Sequence, residues 1–159
     1  MNLDERLLEK LAEWRPDAGR QTLVVAEPSI NATVTVTADR SDVVGAQLWE
    51  VTLERPASLD VTGLKLWADK TAARVTGLLE PLRVLEIDGE RLTALLRSQS
   101  PTQRGDNLFY YEVQLQGKGR AQVDRYQASA KPDGQRKQIN FGLTHETLAK
   151  LVSDINAAL

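Results

Sequence analysis

Leu3, Leu7, Leu11 and Trp14 recur at i, i+4, i+8 and i+11, which places them on one stripe of a helix over residues 3–14. Glu5, Glu9 and Glu13 run along its wet side, and Asp4 and Glu5 suit the positive end of its dipole. Arg15-Pro16 ends it, because the residue before a proline is pushed out of the helical region. The period then changes from helical to two. The stretch 21–26, "QTLVVA", predicts a first strand. "NATVTVTA" predicts a second, with Ala32, Val34, Val36 and Ala38 on one face and Thr33, Thr35 and Thr37 on the other. A third, 43–54, has Trp49, Val51 and Leu53 facing in and Glu50, Thr52 and Glu54 facing out.

Residues 60–76 return to the helical period, with Leu64, Trp67 or Ala68, Thr71 and Val75 sharing a face and Gly77 as the C-cap. "PLRVLEIDGERLTALLRS" reads as a hairpin, with Asp88-Gly89 as a two-residue type I′ turn. Residues 99–106 read as a loop. Strands follow at 107–116 and 120–130, joined by Gly117-Lys118-Gly119. A turn at Lys131-Pro132-Asp133-Gly134 leads into a last strand, "QRKQINFGL". Thr144 caps a final helix over 145–158, whose buried face is Leu148, Leu151, Val152 and Ile155. The order is α-βββ-α-βββββ-α. Short connections favour antiparallel pairing, so the expected fold is one α+β domain over 1–159. It has a mostly antiparallel sheet of about seven to eight strands, with helices packed on one face.

The stretch "NLFYYEVQLQG" holds most of the aromatic residues of the second half. Alternation puts Phe109, Tyr111, Val113 and Leu115 inward, leaving Tyr110 as the one aromatic offered to solvent. A continuous register with the next strand would oppose Glu112 with Asp124 and carry Arg125 into the core. Both are unfavourable. The expectation is therefore a β-bulge at 124–125 that pairs Tyr111 with Tyr126 and Phe109 with Ala128 and brings Glu112 to Arg125.

Composition narrows the classes. The 159 residues are 42% hydrophobic and 26% charged, a globular balance. No apolar run approaches the roughly 20 residues that span a bilayer, and the charged N-terminus does not read as a signal peptide, so a cytoplasmic protein with no membrane span is expected. The absence of cysteine removes disulfides and thiolate chemistry. His145 is the one histidine, read as an exposed first-turn residue. The net charge of −2 divides into −6 over residues 1–90, +5 over 91–137 and −1 over 138–159. Tyr110 with Arg120, Arg125, Arg136 and Lys137 is therefore the candidate interaction surface.

Nucleic acid ranks low as a partner for that surface, since one exposed aromatic is a thin stacking platform and "GKGRAQVDRY" does not match the RNA-recognition pattern. "GKGR" lacks the spacing of a phosphate loop, and no serine-hydrolase elbow or metal-ligand spacing is present. The three tryptophans, Trp14, Trp49 and Trp67, are expected together in the core. No catalytic residue, metal or cofactor is assigned. The leading expectation is a non-catalytic module that binds a protein partner or assembles with itself. The alternative is a cup for a small apolar ligand, formed by the curved sheet and the second helix. The order of elements over the first two thirds, in a small acidic chain, resembles that of type III secretion chaperones. The resemblance implies effector binding as a further expectation, beside nucleic-acid binding through residues 91–137.

Overall fold

The computed structural model describes residues 1–132 and 134–159. Helix α1 (Leu3–Glu13) begins at a capping box, in which the Asn2 side chain accepts from Glu5 N–H at 3.0 Å and Glu5 returns a bond to Asn2 N–H. Strands β1 (Gln21–Glu27), β2 (Ala32–Ser41) and β3 (Gly45–Glu54) form an antiparallel meander. Helix α2 (Val61–Arg74) is capped by Asp60, which accepts from Gly63 N–H at 2.8 Å. Then come β4 (Leu82–Asp88), β5 (Thr93–Ser98), β6 (Thr102–Arg104), β7 (Asn107–Gln116), β8 (Arg120–Ser129), β9 (Arg136–Ile139) and β10 (Phe141–Thr144), before α3 (His145–Ala158). No helix among the described residues is long and apolar enough to cross a membrane.

The α+β class and the antiparallel sheet are as expected, but the sheet has ten strands among the described residues, not seven or eight. Two short pieces account for the difference. The expected loop 99–106 contains β6, which makes a hairpin with β7 around Gly105 (φ 62) and Asp106. The expected last strand is two strands meeting at Asn140. β9 pairs with β8 and β10 pairs with β3, so together they fill the gap where β3 and β8 part beyond Val51 and Val123. The central order is β1-β2-β3-β8-β7-β5-β4. The turn at 131–134 is closed by Gly134 N–H donating to Lys131 O at 3.0 Å, while Asp133 lies outside the described residues.

The Asp88-Gly89 hairpin also differs in detail. Four residues, Gly89–Leu92, connect β4 to β5, and the positive φ falls on Leu92 (54°). The Asp88 carboxylate accepts from Glu90 and Arg91 N–H, each at 3.0 Å, and this side-chain cap replaces the two-residue turn.

One face of the sheet carries the core. Val34, Val36, Val51, Leu53, Leu96, Val113, Leu115, Ala121 and Val123 lie against Leu7, Leu11, Leu64, Trp67, Leu148, Leu151 and Ile155 of the three helices. The Trp67 indole N–H donates to Ile155 O at 3.1 Å, tying α2 to α3. Trp67 is buried and Trp14 packs at the margin, but Trp49 does not join them. The register slips at Trp49 in β3, and Leu48 takes the inward position. Trp49 is covered instead by the Arg20 guanidinium, 3.7 Å from its ring centroid.

Candidate functional site

The other face of the sheet is polar, and its centre is buried without a helix over it. Strand alternation brings Tyr110 and Glu112 from β7, Asp124 and Tyr126 from β8, Arg97 from β5, and Arg136 and Gln138 from β9 to this face. Glu112 and Asp124 are each only 2% exposed there. Arg97 Nη2 and Arg136 Nη1 both donate to Glu112 Oε1, each at 2.6 Å. Glu112 Oε2 is buried without a partner. Tyr110 stacks on Tyr126, with centroids 6.0 Å apart. Arg97 lies over Tyr110 at 4.8 Å and Arg136 over Tyr126 at 4.0 Å, so two guanidiniums bracket two phenol rings.

Asp124 accepts from Gln122 Nε2 at 2.7 Å and from Gln138 Nε2 at 3.2 Å. Glu50 of β3 lies beside it. Burial, and then its hydrogen bond to Asp124 and the charge of that carboxylate, push the Glu50 carboxyl up to about 7. Burial, with the Asp124 charge next, also raises Tyr126. Carboxyls held close enough to share a proton are a form of acid–base chemistry, and the two clefts described below are lined by other residues.

The β7–β8 ladder runs unbroken from Asn107↔Ser129 to Gln116↔Arg120, so the expected bulge at 124–125 is absent. Glu112 does stand opposite Asp124, and Tyr111 opposite Arg125. Both apparent faults are compensated. The carboxylates face the arginines and glutamines just described. Arg125 enters the helix side because Glu80 Oε2 receives its Nη2 at 3.0 Å and the Tyr111 ring lies 4.2 Å from its guanidinium. Tyr126 accordingly pairs with Tyr110, while Tyr111 meets Phe141 edge-on at 5.4 Å. Phe109 is half-buried.

Of the five candidate residues, Tyr110, Arg120 and Arg136 share the polar face. Tyr110 is buried, not offered to solvent. Arg120 is paired with Glu54 at 2.6 Å. Arg125 points to the opposite face, and Lys137 is exposed on β9. The cations of residues 91–137 therefore do not converge as one free patch: Arg97, Arg120, Arg125 and Arg136 each hold a carboxylate. The acceptors, Glu112, Glu54 and Glu80, look in the sequence like ordinary solvated acids. Only their register and the path of the α2–β4 connection bring them into place.

His145 is likewise buried, in contrast to its expected exposure. Its Nε2 lies 3.1 Å from Ser41 Oγ. Burial, and then the Arg15 charge, lower its pKa, so the neutral ring ties the β2–β3 hairpin to the start of α3. Asp42 is turned away into the hairpin, accepting from Val44 and Gly45 N–H at 2.8 and 2.9 Å, so it does not orient the imidazole as a third catalytic member would. A cleft of about 710 Å³ lies beside this hairpin, along β3 and β10.

The two edges of the sheet are unlike. β4 carries Arg83, Glu86 and Asp88 and a register break between Val84 and Glu86, all devices that discourage further pairing. β1 has seven residues, "QTLVVAE", with no bulge against β2 and no charge or proline between Gln21 and Glu27. Its Val24 is 60% exposed. Compared with known proteins, the chain matches no family model, no curated sequence and no solved structure.

Proposed function

We propose that the protein is a non-catalytic self-assembling module in which two copies join edge to edge through β1. The observation that carries this reading is the unguarded edge. A straight apolar strand edge with free backbone groups is a template for another strand, and chains that remain single blunt it, as β4 does here. A second copy fits by symmetry. Antiparallel pairing centred on Val24 sets Leu23 against Val25 of the other copy, Thr22 against Ala26, and Gln21 against Glu27. Leu23 then meets Val25, Val24 meets its own copy, and no like charges face each other.

A strand-to-strand contact lies at the small end of specific interfaces, so the association is reversible and concentration-dependent. Sedimentation velocity over a concentration series tests it. The wild-type chain is expected to shift from monomer to dimer. Val24→Lys, a change at an exposed position, is expected to stay monomeric with an unchanged far-UV spectrum. A wild-type chain that remains monomeric throughout, or a Val24→Lys variant that associates equally, would overturn the reading.

A further inference from the structure

A cleft of about 460 Å³ opens beside the helices, between the α2–β4 connection and the β9–β10 ribbon. That size falls within the roughly 300–1,000 Å³ of pockets that hold small ligands. Half-buried Phe109 gives it an apolar wall, the buried Tyr111 and Phe141 reach it at their margins, and its charged lining is two arginines, Arg104 and Arg125, against one carboxylate, Glu80. The excess is positive.

The Arg125–Glu80 contact within it is incomplete. One Nη2 meets one Oε2 at 3.0 Å, while Arg125 Nη1 and Glu80 Oε1 are both buried without partners. A guanidinium fork matches a carboxylate with two parallel bonds, so this pair leaves half of that match unused. The preceding residue, Leu79, is 92% exposed and held at φ 62. A leucine in the left-handed region is strained, and strain of this kind collects at ligand clamps and switch segments.

We propose that this cleft binds a small organic anion, a carboxylate on a flat apolar body. The carboxylate takes both Arg125 nitrogens in place of Glu80, and the ring lies along Phe109, the half-buried aromatic wall of the cleft. Glu80 is then an internal stand-in that leaves Arg125 when the ligand arrives, with the Leu79–Glu80 segment moving outward. The site is independent of the β1 edge.

Full-length protein titrated with benzoate, and separately with neutral benzamide, tests the assignment by amide chemical shifts. Benzoate is expected to saturate shifts at Phe109, Tyr111 and Phe141, whereas benzamide is not. Glu80→Gln, which keeps the shape and removes the competing charge, is expected to tighten benzoate by roughly tenfold. Arg125→Gln is expected to abolish saturation. A Glu80→Gln variant that binds benzoate no better than wild type would make the pair a structural clamp only. Equal binding of benzamide would remove the anion from the assignment.

Discussion

Glu50 shows how one side chain's surroundings set a pH dependence. Its folded pKa is about 7 against 4.5 for an ordinary glutamate, because burial and then Asp124 disfavour its charge. Between those two values the folded chain holds a proton that the unfolded chain has lost. Stability from this group is therefore greatest below about 4.5, falls as pH climbs to about 7, and is flat above. Glu27 has the opposite sign. The Ser29 hydroxyl and amide, with Arg6 beside them, hold it down to about 2, so its contribution is present above 4.5 and lost on acidification. Glu50→Gln removes the cost of ionising next to Asp124. The variant should exceed wild type in urea midpoint at about pH 8 and approach it at about pH 5. Parallel pH profiles for the two proteins would refute the assignment.

At the scale of elements, helices and strand faces were legible because each rests on a local period. α1, α2 and α3, and the inward faces of β2, β7 and the start of β8, follow the spacing of Leu, Val and Ala along the chain. What escaped were features decided by partners distant in sequence. The bulge expected at 124–125 rests on an Arg and an Asp that look misplaced when β7 and β8 are taken alone. Glu80 on the α2–β4 connection, Arg97 on β5 and Arg136 on β9 remove the need for it. The register instead slips at Trp49 and Asp39, where nothing local signals it. The 117–119 turn was readable in place, but its load was not. Residues 55–59 run across it, with Arg55, Ala57 and Leu59 N–H donating to the carbonyls of Gly119, Lys118 and Gly117. Gly119 has φ 95, and a Cβ there would lie 1.9 Å from Arg55 O. Gly19 has a similar φ of 104 but open space around it. Gly19→Ala should therefore cost only the conformational term, about 1 kcal/mol. Gly119→Ala should cost clearly more, about 3 kcal/mol, as the 55–59 crossing is pushed away. Chemical denaturation of both variants checks the difference, and equal losses would mean that the crossing yields freely.

For the whole molecule, the question is whether the two ends of the chain belong to one cooperative unit. α1 packs on α3 and on β1, so the first and last helices close over the same core. Leu7 and Leu11 of α1 are fully buried beside Leu148, Leu151 and Ile155. Ile155 in turn holds the Trp67 indole through its carbonyl. A cavity at Leu7 thus lies at the far end of the chain from α3 in sequence yet borders the same packing. Leu7→Ala should cost about 2–5 kcal/mol, the range for truncating a buried leucine. If the fold unfolds as one unit, that loss must appear in every probe. With Trp14 and Trp49 replaced by phenylalanine, Trp67 alone reports on the α2–α3 contact. Its fluorescence midpoint should fall together with the far-UV midpoint when Leu7 is truncated. A Trp67 transition that stays in place while the helical signal weakens would mean that α1 opens by itself, leaving the core of α2, α3 and the sheet to stand without it.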